Sequence, residues 1–379
     1  MITRTLESVI KSKIGSGKAI VLMGARQVGK TTLMMNAMAH SEDILWLNGD
    51  EKDVQEMLFT GSSARFRAFF GKKKIVVIDE AQRIPDVGLR MKLITDQIPE
   101  IQLIVTGSSA FELANQLNEP LTGRKWEYKL YPLSFQEMVN HHGVLEEKRM
   151  LPHRLVFGYY PEVVKQAGDE IELLRQLTDS YLYKDVLWLE QIKKTDGLIR
   201  LLQALAYQIG SQVSFNELSK TAGLDLKTVE KYIGILEQTY VIFRLSSLSR
   251  NLRTELRKSR KIYFCDNGVR NALIAHFNPV ESRMDVGALW ENFLASERRK
   301  FNEYNRRWYN SWYWRTKDQM EIDYVEEKDG HIAAFEFKWN PAARYKQPNL
   351  FKSAYPGSSF QIVHPGNVEG FLLDLFPME

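Results

Sequence analysis

The stretch KAIVLMGARQVGKTTLMMNAMA, Lys18 to Ala39, decides the fold of this chain. Lys18 to Met23 reads as a short apolar strand, Gly24-Ala25-Arg26-Gln27-Val28-Gly29-Lys30-Thr31 fits GxxxxGK[ST], and Thr32 to Ala39 reads as a helix. The spacing has a chemical reason. Glycines let successive backbone N–H groups turn inward around phosphate oxygens, and the following helix aims its positive dipole end at the same anion. Residues Gly24 to Thr32 are therefore the candidate cradle of a nucleoside triphosphate. Lys30 reaches for the β and γ phosphates, and the Thr31 hydroxyl is placed for Mg²⁺.

A second apolar strand, Lys74 to Ile78, ends in Asp79-Glu80, at the sheet edge where open α/β sheets bind ligands. Asp79 is expected to hold Mg²⁺, and Glu80 to act as the base or orienting group for an attacking water. Two further strands are expected: Ile44 to Leu47, and Gln102 to Val105, the latter ending in Thr106-Gly107-Ser108-Ser109. Hydroxyls of that turn, Ser108 among them, are candidates for fixing the water and sensing the γ-phosphate. Arg124 precedes a strand-like WEYKLY and is placed to contact phosphate in cis, to reach a neighbouring subunit in trans, or to stand as a plain surface arginine.

The rest of the chain sets the frame. With 379 residues, 44% apolar and 26% charged, it exceeds the size of one hydrophobic core and matches soluble globular usage. The net charge of +4 is too small to argue for nucleic acid or membrane from the total. One cysteine, Cys265, and seven scattered histidines imply neither disulfides nor structural zinc. Met1 to Lys18 lacks the apolar core of a secretory signal, and no run of 18 uncharged apolar residues occurs, so a cytoplasmic protein is expected.

GARQVGKTTL, VVIDEAQRIP, LIVTGSSAF and LTGRKWEYKLYPLSFQEM resemble the AAA+ type ATPases of the bacterial and archaeal family whose C-terminal half is a domain of unknown function, DUF4143. GYYPEV at Gly158 to Val163, YKDV at Tyr183 to Val186 and the Glu336-Phe337-Lys338 region are similar to that family's downstream motifs. The resemblance implies the phosphate loop on Gly24 to Thr31, the acidic pair on Asp79 and Glu80, and the sensing turn near Ser108.

Residues 132–196 read as a helical lid on the ATPase of residues 1–131. Residues 197–256 read as a winged helix-turn-helix: an amphipathic helix ending at Gly210, a second with a capping-box spacing at Ser214 to Glu217, a third from Asp225 to Gln238, then a strand. On the third helix, Lys227, Thr228 and Lys231 stand beside Asp225 and Glu230, a nearly balanced charge that suits a protein contact as well as DNA. Two basic segments, 244–261 and 298–315, the latter interleaved with Trp308, Tyr309, Trp312, Tyr313 and Trp314, suit nucleic acid.

Residues 257–379 read as a small α/β domain. Glu321 to Val325 and Ala334 to Lys338 flank an Asp329-Gly330 turn, and pairing about it requires partner numbers to sum to 659. Asp323 then faces Glu336, and Glu321 faces Lys338, with Ile322, Tyr324, Phe335 and Phe337 on an apolar face. Two facing carboxylates repel and invite a divalent cation. Asp followed by Glu-x-Lys resembles the restriction-endonuclease-like nucleases, which implies Mg²⁺ on Asp323 and Glu336, assistance from Glu291, and Lys338 positioning hydroxide. Lys338 neutralising Glu321 is the plain alternative. The expected whole is an α/β chain: a P-loop NTPase parallel sheet with a lid, a winged helix and a nuclease-like domain, using ATP and Mg²⁺ near DNA, with an oligomer open. The alternative is a nucleotide-gated switch that binds a protein partner.

Overall fold

A computed structural model describes residues 2–39, 41–107, 121–179, 195–249 and 260–376. Its contacts divide the chain into two compact units, one holding Thr3–Pro132 with Gln238–Tyr240, the other Leu133–Glu237 with Val241–Glu379. No helix among the described residues is long and apolar enough to cross a membrane. Ser108, Tyr183 to Val186, and Arg250, Arg253, Arg257 and Lys258 of the first basic segment lie outside the described residues.

The first unit is built on five strands: β1 (Ala19–Gly24), β2 (Ile44–Asn48), β3 (Ile75–Asp79), β4 (Gln102–Gly107) and β5 (Lys125–Leu130). They lie in the order β2-β3-β4-β1-β5, and every pairing is parallel. Parallel strands need crossover segments, which here cover the sheet, so the central strands must be apolar on both faces. AIVLMG and QLIVTG meet that demand, and all residues of β1 and β4 are buried. β4 is inserted between β1 and β3, so its last residues stand between the phosphate loop and the acidic pair. Gly24 is required where β1 leaves the sheet: a Cβ there would lie 2.2 Å from the carbonyl oxygen of Leu130 on β5.

The second unit carries a seven-stranded sheet of β6 (Gln212–Val213), β7 (Ile242–Ser247), β8 (Arg260–Phe264), β9 (Asn310–Arg315), β10 (Glu321–Lys328), β11 (His331–Phe337) and β12 (Ser359–Val363). Their order is β12-β11-β10-β9-β7-β8-β6. Strands from the stretch read as a winged helix and strands from the stretch read as nuclease-like thus share one sheet. The helices Thr195–Tyr207, Phe215–Ala222 and Leu226–Gln238 precede β7. Asp225 accepts from Thr228 N at 2.9 Å and from Thr228 Oγ1 at 2.6 Å, so both residues cap the third of these helices.

The β10–β11 hairpin pairs Tyr324↔Phe335 through Lys328↔His331, the register expected from the Asp329-Gly330 turn, where both residues have positive φ, 53° and 84°. The expected apolar face needs a correction. The pairing of β10 with β9 shifts register between Ile322 and Val325. One extra residue reverses the alternation of faces. Ile322 therefore packs with Trp314, Val325, Ala334 and Phe351, while Tyr324 stacks near Phe337 and meets Phe371 edge-on.

Candidate nucleotide site and acidic cluster

At the carboxyl end of β1 the chain makes the turn that the glycine spacing requires. Gln27 and Gly29 take positive φ, 60° and 92°, and the helix Lys30–Ala37 begins directly after. Lys30 is buried, and its Nζ donates to the carbonyls of Gly24 and Ala25, both at 2.9 Å, so the ammonium lies across the loop. Thr31 Oγ1 donates to Asp79 Oδ2 at 2.7 Å, and Thr106 Oγ1 donates to Asp79 Oδ1. Both oxygens of one carboxylate are thereby fixed, one from the first turn of the helix after the phosphate loop and one from the end of the neighbouring strand β4. Glu80 has φ 50°, its backbone N–H points to Asp79 Oδ1 at 3.2 Å, and its carboxylate accepts from Gln82 Nε2 at 2.5 Å. Thr32 is exposed on the helix.

Thr106 and Arg4 are additions that the sequence did not single out for these contacts. Arg4 is buried, with Nη1 donating to Val28 O and Nη2 to Tyr131 O, both at 2.7 Å. It pins the outer side of the phosphate loop to the segment after β5, and its partners lie 24 and 127 positions away, beyond any local pattern. Arg4→Ala should strip donors from two buried carbonyls, costing about 1–3 kcal/mol of stability in this unit. It should also weaken triphosphate binding several-fold through a looser loop, as read by calorimetry; unchanged affinity would show that the loop holds its shape without the clamp.

Arg124 is not brought to this site. It precedes β5 beside Ala19, at the sheet edge opposite the loop, about 16 Å along the strand from Gly24, and pairs with Asp96 at 2.6 Å. That position excludes phosphate contact in cis.

In the second unit, Glu291 of the helix Val286–Tyr304 meets Glu321 and Asp323 of β10, with carboxylate oxygens within 4.8 Å of one another. Glu291, expected from the sequence to assist Asp323 and Glu336, lies beside Asp323, and the residue at the centre, Lys261 of β8, has no signal in the sequence. Its Nζ lies 2.7 Å from Glu291, in contact with Glu321 and 3.9 Å from Asp323, and its side chain is 1% exposed. Burial alone would depress this ammonium; Glu291, Asp323 and Glu321 outweigh it and hold the Lys261 pKa above its ordinary value. Burial pushes Glu291 up to about 7 against the pull of Lys261, and burial with the Asp323 charge pushes Glu336 up to about 8.

Lys338 Nζ bonds Glu336 Oε1 at 2.6 Å, leaving Glu336 Oε2 buried without a partner among the described residues, and Arg315 takes Glu321 at 3.0 Å. Lys338 therefore neutralises Glu336 and not Glu321. Asp323 Oδ2 accepts from Phe337 N at 2.8 Å. The donor set is chemically right for a divalent cation, but a fixed ammonium already fills its centre, so the residues as they stand do not fit a resident ion.

The second basic segment is partly internal. Arg298 is buried against Glu326 at 2.6 Å, and Lys300 against Glu297 at 2.5 Å and Leu133 O at 2.9 Å. Tyr313 and Trp314 are core residues, whereas Trp308 is 81% exposed.

A five-stranded parallel sheet whose first strand feeds this loop, with Asp79 on the second strand over, coincides with a family match: residues 16–139 fit the model of the AAA domain. The chain carries an AAA domain. Behind it, residues 148–279 and 286–370 match two domains of unknown function, DUF8612 and DUF4143. An uncharacterized protein of Haemophilus influenzae is 27% identical over 352 residues, 84% of this chain and 83% of its own length. One of Mycobacterium tuberculosis is 24% identical over 357 residues, 92% of this chain and 76% of its own. Among solved structures, the Walker-type ATPase of Pyrococcus abyssi aligns with TM-score 0.50 and 16% identity over 72% of this chain and 94% of its own, a likeness of fold. The AAA domain is the P-loop arrangement expected from GARQVGKT.

Proposed function

We propose that this protein binds and hydrolyses ATP on its AAA domain and that its second unit acts on nucleic acid under control of the nucleotide state. The observation that carries the ATPase reading is the Asp79 carboxylate held by Thr31 Oγ1 and Thr106 Oγ1 at the mouth of the phosphate loop. A hydroxyl and a carboxylate side by side are the hard oxygen donors that Mg²⁺ takes, so Thr31 and Asp79 fit the ion and would hold it. When bound, the ion neutralises charge on the β and γ phosphates. Lys30 leaves the carbonyls of Gly24 and Ala25 for phosphate oxygens, and the loop N–H groups bind the anion. Glu80, kept in place by Gln82, orients the water and accepts its proton.

Glu80→Gln tests the division of labour. It should keep nucleotide affinity within a few-fold while lowering phosphate release by about 10²-fold or more. Affinity and turnover lost together would assign Glu80 to binding instead.

For the second unit, cleavage at Glu291, Asp323 and Glu336 with Lys338 is supported by the unpartnered Glu336 Oε2 beside the Lys338 ammonium. It requires Lys261 to leave the cluster. The seat of Lys261 favours the second reading, a nucleotide-gated unit that engages its partner, nucleic acid or protein, without cutting. Incubation of full-length protein with several DNA forms and Mn²⁺, with Asp323→Ala as control, separates the two readings: cleavage lost in the variant establishes the nuclease.

A further inference from the structure

The parallel pairing of β7 with β9 is confined to Ser246↔Trp312 and Ser247↔Tyr313. Upstream of these pairs the two strands line opposite banks of a cleft of about 320 Å³, with Phe243 to Leu245 on one side, Asn310 and Ser311 on the other, and the helix Val286–Tyr304 contributing Arg299 and Asn302. That volume sits at the lower end for small-ligand sites, room for one unit and not for a chain.

The lining has a definite chemistry. Arg244, Arg299 and Arg307 face it against one carboxylate among the described lining residues, Glu303. Arg299 lies over the ring of Phe243 at 4.8 Å, a cation–π contact that holds its guanidinium beside the cleft. Arg244 also pairs with Glu237, and Arg307 with Asp374. A guanidinium carries five N–H donors, so one carboxylate does not exhaust it, and such pairs hold the forks in position. Asn302 is 8% exposed; its Nδ2 donates to Glu326 Oε1 at 2.7 Å, which settles the orientation of the amide, and its Oδ1 is a buried acceptor with no partner among the described residues. At the rim, Trp308 presents an indole that is 81% exposed. An anion, a ring with an N–H donor and an aromatic face to stack on are the complements of these groups.

We propose that this cleft binds one nucleotide unit, with phosphate on the arginine forks, a base N–H on Asn302 Oδ1 and the base against Trp308. The inference deepens the nucleic-acid part of the functional reading and rests on it for the ligand class. The basic segments singled out in the sequence, 244–261 and 298–315, each contribute residues to it.

The unit comes either from the end of a strand or from a free nucleotide, and both are tested on full-length Lys30→Ala protein, in which the phosphate loop is disabled. Anisotropy of a 3′-fluorescein, 5′-phosphorylated decanucleotide reads the first, and calorimetry with AMP the second. Binding of the decanucleotide alone identifies a strand end, and binding of AMP alone a free nucleotide. Either should weaken about tenfold or more with Trp308→Ala, whose exposed position spares folding, and with Arg299→Gln, checked by its melting temperature. Binding of neither probe, or binding untouched by both substitutions, overturns the proposal. ATP turnover by the unsubstituted protein is measured separately: its absence while cleft binding persists would sink the ATPase reading and leave the cleft standing.

Discussion

Lys30→Ala abolishes ATP turnover to within the background of the assay, a loss of about 10²–10³-fold or more. Lys30 is buried at the loop, with its ammonium 2.9 Å from two loop carbonyls and a fixed charge ready for an incoming phosphate. A neutral methyl removes both the charge that γ-phosphate transfer requires and the internal bonds that keep the loop closed. Charge on the transferring phosphoryl group develops in the transition state, so turnover suffers more than ground-state binding. The measurement is phosphate release at saturating Mg-ATP, with circular dichroism to confirm that the first unit is folded. Turnover equal to that of the unsubstituted protein would place the chemistry elsewhere.

The first unit was legible because its chemistry depends on residues close in sequence. GARQVGKT carries strand, turn and helix start in one run, and KIVVIDE places a carboxylate at a strand end. That Thr31 and Asp79 meet follows from two parallel strands ending at the same edge. Arg4 escaped notice because a lone arginine near a chain start has no pattern. Only the return of Tyr131 past the loop gives it two carbonyls. For Arg124 only the cis alternative falls, because its position in sequence, just ahead of a strand, says nothing about which end of a parallel sheet that strand enters from.

In the second unit the turn set the hairpin register, since Asp-Gly with two positive φ values permits one pairing. The bulge at Asp323 and Tyr324 was not legible, because a strand with an extra residue has the same composition as one without. It turned Ile322 and Tyr324 to opposite faces. In sequence, Lys261 belongs to a basic run. Its neighbours in sequence are basic, but its neighbours in space come from residues 30 to 62 positions further on, and these make it the internal counter-ion of three acids.

That arrangement makes Lys261→Met the change with the largest expected cost in the second unit. Methionine keeps the volume of the stem and removes the ammonium, so Glu291, Glu321 and Asp323 face one another without the shared cation. Leaving buried charge uncompensated costs about 3–5 kcal/mol, enough to lower the melting temperature of this unit by on the order of 10 °C. The loss should depend on pH in a set direction. Burial already holds the Glu291 carboxyl at about 7 in the folded chain, above its ordinary range near 4.5, so the folded state binds that proton more tightly than the unfolded state does. Protonation therefore favours folding as pH falls from about 7 toward 4.5, and removing the ammonium drives the carboxyl higher still. The gap between variant and parent should be widest above pH 7 and narrow toward pH 5. Glu291→Gln added to Lys261→Met should recover part of the loss, because it removes one of the three facing carboxylates while keeping an acceptor for Tyr263 Oη, which donates to Glu291 at 2.7 Å. Melting curves at pH 8 and pH 5 for the parent, the single and the double variant carry the test. Parallel losses at both pH values with no recovery in the double variant would mean that Lys261 supports the sheet by packing, not as the cation of the acidic cluster.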